Sequence, residues 1–239
     1  AVATGVAAAL RVKGKGHVRV VAQGGDGGTA DIGFGCLSGM FERNDDVLYI
    51  CYDNEGYMNT GVQRSSATPP TARTSTTPAL GDDPGNVFGT GKNLPLIALA
   101  HNIPYVATAS VADLHDLEAK VAKAMGFRGA RYIHIMVPCP LGWGSASDAT
   151  IRIARLAVES GFFPLFEAEY GEITAANKIR RQVPVSEYLK LQRRFAHLFK
   201  RGPDGEEDRK GLDRLQQMAD ANIARFNLLS DGAAQGTSP

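Results

Sequence analysis

Two short apolar runs, each ending in a polar signal, constrain this chain more than any other feature. The first, residues 18–22 (VRVVA), leads through Gly25 into Asp26 and Gly27, and the second, Val47–Cys51, leads into Asp53 and Asn54. Twenty-five residues lie between Gly27 and Asp53, enough for one helix and one strand. In a right-handed βαβ unit the two strands become parallel neighbours, so Asp26 and Asn54 emerge at the same sheet edge. A carboxylate and an amide oxygen placed there suit a hard octahedral cation such as Mg²⁺, which takes few protein ligands and completes its shell with diphosphate oxygens and water. Gly25, Gly27 and Gly28 carry no Cβ, so backbone N–H groups can approach a diphosphate closely.

Apolar spacing predicts the remaining elements. Residues 2–12 read as a helix, His17–Gln23 as a buried strand, Asp31–Arg43 as a helix and Val47–Tyr52 as a second strand. Residues 55–91 are rich in Gly, Ser, Thr and Pro and show little periodicity, the mark of a functional or disordered loop. Helices follow at Asn93–Asn102, Val111–Met125 and Ser145–Ser160, the last capped by Ser145 or Ser147. Between and after them come strands at Tyr105–Ala109, Arg131–Val137 and Phe162–Tyr170. This alternation predicts an α/β fold with a doubly wound, mostly parallel sheet over residues 1–175. Residues 176–239 read as a helical extension, with helices at Val185–Phe199 and Lys210–Leu228, a charged turn at Lys200–Arg209 and a loose tail at Asp231–Pro239.

The spacing of Gly25-Asp26-Gly27 from Asn54 resembles the thiamine diphosphate motif, although Asp53 stands where the motif has a first Asn. Tyr57-Met-Asn-Thr-Gly61 with Gln63–Pro69 narrows the resemblance, and Pro138–Trp143 and Pro184–Gln192 extend it over nearly the whole chain. In series these blocks resemble the beta subunit of the pyruvate:ferredoxin (2-oxoacid:acceptor) oxidoreductase family. The resemblance implies the diphosphate-binding module of a thiamine enzyme, with Asp26, Asn54 and the Gly56 carbonyl on Mg²⁺ and Gly25, Gly27, Gly28, Asn59 and Thr60 around the cofactor. It implies that Cys139 is one ligand of a 4Fe-4S cluster whose other thiolates belong to an amino-terminal segment, so the chain is expected to be N-terminally incomplete. An amide such as Asn59 suits the oxyanion formed when a 2-oxo acid is attacked, a catalytic role.

The implied activity is coenzyme A-dependent oxidative decarboxylation of a 2-oxo acid, pyruvate first, with electrons leaving to ferredoxin or a similar acceptor. An alpha-type subunit would supply the aminopyrimidine module and its glutamate, and gamma/delta-type subunits further iron–sulfur centres; alone, the chain is expected to be inactive. A non-redox thiamine decarboxylase or carboligase subunit is the main alternative, sharing the motif without the cluster. A subunit that keeps the fold only for assembly is a second. Rossmann-type nucleotide binding is disfavoured, because residues 24–29 lack G-x-G-x-x-G.

Composition describes an ordinary soluble globular protein. A net charge of +1 gives no electrostatic case for nucleic acid or an acidic membrane, and no apolar run is long enough for a span. Three cysteines make no disulfide framework, which points to a reducing cytoplasm, and Cys36 and Cys51 read as core. The five histidines have no zinc-like spacing and read as packing or surface residues. Arg64, Arg73, Arg180 and Arg181 are candidates for a substrate carboxylate or coenzyme A phosphates, against the plainer reading of salt-linked surface arginines.

Overall fold

A computed structural model of the chain describes residues 1–200 and 209–229. A central sheet of six strands organises them: β1 (Val20–Gly25), β2 (Val47–Asp53), β3 (Tyr105–Ser110), β4 (Arg131–Met136), β5 (Phe166–Glu169) and β6 (Glu172–Ala176), in the spatial order β1-β2-β4-β3-β5-β6. The first four run parallel, and β5 and β6 are antiparallel additions at one edge. β1 and β2 are parallel neighbours, as the βαβ reading requires, with Gly25 in register with Tyr52. Every residue of β3 and β4 is buried, the signature of strands covered on both faces.

The helices are α1 (Val2–Val12), α2 (Phe34–Glu42), α3 (Leu94–Ala100), α4 (Leu114–Gly126), α5 (Pro140–Trp143), α6 (Thr150–Glu159), α7 (Val185–Leu189) and α8 (Arg209–Arg225). Asn93 and Asp113 cap α3 and α4 by accepting from Leu96 N and Asp116 N. One apolar cluster joins Leu37, Phe41 and Val47 to Val106, Tyr132 and Phe166, and also takes in Ile179, Ile223 and Phe226. A second joins Trp143, Ile153, Tyr188 and Phe195 to Leu215 and Ala219. Residues beyond 176 therefore pack directly on the strands and on α6.

Several local expectations change. The crossover from β1 begins with a π-helical turn, Gly27–Ile32, before α2, where a single helix over 31–43 was expected. The wider i→i+5 turn opens the backbone directly after Asp26, as such turns do at functional sites. The 145–160 helix starts only at Thr150, behind a 3₁₀ turn at Ser147–Ala149, and neither Ser145 nor Ser147 caps it by a side-chain hydrogen bond. Likewise 185–199 is not one helix: α7 stops at Leu189, and Arg193–Phe199 is 3₁₀. The extended stretch at 162–170 is a strand only from Phe166 and turns back through Tyr170 and Gly171, both at positive φ, into the unanticipated β6. Cys36 lies on the exposed face of α2 rather than in the core, whereas Cys51 is buried as expected. The expected tail at 231–239 and most of the turn at 200–209 lie outside the described residues.

Candidate cofactor and metal site

Asp26 and Asn54 meet at the carboxyl edge of β1 and β2. One end of the Asn54 amide lies 3.0 Å from Asp26 Oδ1 and 2.8 Å from the Gly56 carbonyl oxygen. With nitrogen at that end, the amide donates to both oxygens. With oxygen there, three oxygens face one another, an arrangement that only a cation makes favourable. Asp26 is almost wholly buried, and its other oxygen accepts from the Ser65 hydroxyl. Burial first, and then the Asp53 carboxylate, push the Asp26 carboxyl up to about 7. A cation held here would take the place of that proton.

The Asp53–Gly56 segment that offers two of these groups is held from all sides. Glu55 has φ 61°, a left-handed conformation that costs a non-glycine residue about 1–2 kcal/mol. Its N–H donates to Asp53 Oδ1 at 2.8 Å, and its carbonyl accepts from Thr68 Oγ1 at 2.7 Å. Its buried carboxylate pairs with Arg194, whose guanidinium lies 3.8 Å from the centroid of the Trp143 ring. Trp143 Nε1 in turn donates to the Asn54 carbonyl at 2.7 Å. Asp53 is not a surface substitute for asparagine: its Oδ2 lies 2.8 Å from His134 Nε2, and His134 Nδ1 lies 2.7 Å from the Tyr132 hydroxyl. Burial lowers the His134 pKa, but Cys51 and Asp53 raise it further, to about 10. The histidine read as packing is thus the ionic partner of the unusual Asp53.

Gly27 and Gly28 separate into two roles. A Cβ on Gly27 would overlap the Tyr57 ring, whose hydroxyl lies 3.0 Å from both the Gly27 carbonyl and Asp31 Oδ2. A Cβ on Gly28 would meet nothing within 4 Å. The open face that lets an anion reach the backbone is therefore at Gly28, while Gly27 makes room for Tyr57. The 62–92 segment folds over this region through Ser66, which bonds Asp31, and Lys92, whose Nζ donates to the Ala30 carbonyl at 2.6 Å.

Asn59 and Thr60 are not drawn into the oxygen cluster. They sit exposed on a tight turn closed by a bridge between Tyr57 and Gln63, in which Thr60 Oγ1 donates to Gln63 Oε1 at 2.6 Å. Cys139 is half-buried at the start of α5, its sulfur accepting from Gly142 N at 3.4 Å. Met58 lies against Gly142 of α5, where a Cβ would overlap its sulfur, so the Cys139 turn and the 57–61 turn touch. Among the described residues no group of three or more His, Cys, Asp or Glu side chains is placed to hold a metal. A 4Fe-4S cluster needs four ligands, usually thiolates, and the described residues carry three cysteines on separate elements: Cys36, exposed on α2, Cys51, buried in β2, and Cys139.

The model for the thiamine pyrophosphate enzyme, C-terminal TPP binding domain, matches residues 1–135. The chain is 52% identical over 229 residues to the pyruvate synthase subunit PorB of Methanosarcina barkeri, covering 95% of this chain and 76% of that protein. The chain belongs to the beta-subunit family of the 2-oxoacid:ferredoxin oxidoreductases. Its similarity to the ketoisovalerate oxidoreductase subunit VorB of Pyrococcus abyssi is nearly as high, 48% over 207 residues, 84% of this chain and 66% of that one. Among solved structures it is similar to a 2-oxoglutarate:ferredoxin oxidoreductase from Magnetococcus marinus with 2-oxoglutarate, coenzyme A and succinyl-CoA bound, at 31% identity and a TM-score of 0.51. That match covers 59% of this chain and 44% of the other. Strands β1, β2 and β3 and the motif residues Asp26 and Asn54 fall inside residues 1–135. No helix among the described residues is long and apolar enough to cross a membrane.

Proposed function

We propose that this chain holds the diphosphate end of thiamine diphosphate and its Mg²⁺ for a 2-oxo acid oxidoreductase that works with coenzyme A, in the cytoplasm. The observation that carries the reading is the meeting of Asp26 Oδ1, the Asn54 amide and the Gly56 carbonyl beside the open backbone at Gly28. Those three groups would hold the cation, and Gly25, Gly27 and Gly28 with their N–H groups would face the diphosphate. When bound, thiamine diphosphate supplies the electron sink for decarboxylating a 2-oxo acid.

The chain's own residues position and neutralise. Burial raises the Asp26 carboxyl to about 7, so a cation bound there would compete with a proton for it. Asn59, on the exposed turn after the metal loop, is the amide we assign to the substrate oxyanion, with Thr60 beside it. Next to this turn a concavity of about 350 Å³ is lined by Arg73, Thr74, Ser75, Leu141 and Arg193. Arg73 and Arg193 form no ion pair with any described residue, which suits a carboxylate or phosphate rather than the plainer surface role. Cys139 would be one thiolate of an iron–sulfur cluster completed elsewhere. Because the aminopyrimidine side must be covered by another module, an alpha-type subunit is the expected partner, with gamma/delta-type subunits and ferredoxin taking the electrons.

Pyruvate is the substrate named for the relative at 52% identity, and ketoisovalerate that for the one at 48%. The test is anaerobic viologen reduction by the complete complex with a panel of 2-oxo acids. Reduction that requires both thiamine diphosphate and coenzyme A is expected, with pyruvate preferred. Carbon dioxide release without reduction would replace this reading by a non-redox thiamine enzyme.

A further inference from the structure

The Asp53–Gly56 loop is bonded by a residue that lies on another strand. His134 is buried in β4, in register with Cys51 of β2, and its ring stacks on Phe163 with centroids 6.1 Å apart. Its two nitrogens are both engaged, Nδ1 with Tyr132 Oη and Nε2 with Asp53 Oδ2. Whether the ring is neutral or charged, Tyr132 can complement Nδ1 as donor or as acceptor. In both states Nε2–H is the donor to Asp53. That bond uses one Asp53 oxygen and orients the other, Oδ1, onto Glu55 N–H. Glu55 is left-handed, and the carbonyl of Gly56, the residue after it, faces the Asn54 amide.

We propose that His134 is a positioning residue for the cation loop, acting through Asp53 and Glu55 to set the Gly56 carbonyl and Asn54. The inference rests on the Mg²⁺ reading above. It gives the loop's unusual Asp a partner, since an aspartate fixed by a buried imidazole N–H presents its free oxygen in one direction only. Tyr132 and Phe163 lock the ring, as outer-shell groups lock the ligands of metal sites in general.

The experiment is equilibrium dialysis of thiamine diphosphate on the complete complex as a function of Mg²⁺, for wild type, His134→Phe and His134→Gln, with thermal melting of each. Phe keeps the ring and its packing but offers no donor; the Gln amide nitrogen can replace Nε2. The expected result is that His134→Phe raises the Mg²⁺ concentration for half-retention on the order of 10- to 100-fold, and His134→Gln restores most of it. A lower melting temperature for His134→Phe with unchanged half-retention below the melt would overturn the proposal, leaving His134 a core residue. Wild-type retention that is indifferent to Mg²⁺ would instead remove the cation reading itself.

Discussion

Neighbouring glycines in one motif answer to different neighbours, and they can be separated experimentally. Gly27→Ala forces a methyl into the Tyr57 ring, an overpacking that costs about 1–3 kcal/mol. Its melting temperature should fall, and Tyr57→Ala in the same chain should recover part of the loss. Gly28→Ala meets no protein atom, so its melting temperature should stay within a degree or two of wild type. Its retention of thiamine diphosphate should nevertheless drop at least tenfold by equilibrium dialysis; unchanged retention would move the diphosphate away from Gly28. Asp26→Ala should abolish Mg²⁺-dependent retention in the same assay. At this scale the sequence showed the motif residues because their order along the chain is their order at the sheet edge. It did not show Ser65, Trp143 or Arg194, which reach partners 39, 89 and 139 residues away in the chain from a loop and two short helical turns that set no apolar period. Only the His134–Asp53 pairing left a trace, as an aspartate in an unexpected place.

The parallel strands were legible because burial on both faces leaves continuous apolar runs, and α4 because Asp113 caps an amphipathic repeat. The breaks were not. Nothing in the apolar spacing of 185–199 marks the stop at Leu189, where Gln192 and Arg194 turn inward to Tyr188 and Glu55. The antiparallel β5–β6 edge was hidden too, since β6 is mostly exposed and has no buried face to set a period. That edge is tied to α4 by Lys123, 2.9 Å from both Glu167 and Glu169, and to β3 by the Tyr105 hydroxyl, 2.7 Å from Glu167. Burial raises the Glu167 pKa, but Lys123 and Tyr105 outweigh it and hold the carboxyl below its ordinary 4.5. A depressed folded-state value means stability present above the unfolded pKa and lost as pH falls through the folded one. Glu167→Gln should therefore lower the melting temperature at pH 7 and narrow the gap to wild type below pH 4.5, read from melts between pH 3 and 7. A gap that stays constant across that range would mean that the ion pair contributes nothing to the edge.

Taken as a whole, the molecule ties its late segment to its early motif through one buried ion pair. Arg194 lies in the 3₁₀ segment behind α7, and Glu55 sits in the Asp53–Gly56 loop, yet both side chains are buried and paired, with Trp143 and Tyr188 around them. Burial, the largest influence on Glu55, and the nearby Asp53 both raise its pKa, to about 7 even beside Arg194. The pair is thus costly to desolvate, and its worth lies in placement more than in net stability. Removing one partner strands the other. Arg194→Leu should destabilise the chain by about 3–5 kcal/mol, seen as a large fall in melting temperature, and should weaken Mg²⁺-dependent retention because Glu55 no longer has a fixed place. Adding Glu55→Gln should recover much of the stability, since no uncompensated buried charge remains. It should recover less of the cation affinity, because the left-handed residue beside Gly56 has still lost its anchor. Full recovery of both would reduce the pair to charge balance and free the Asp53–Gly56 loop from the late segment.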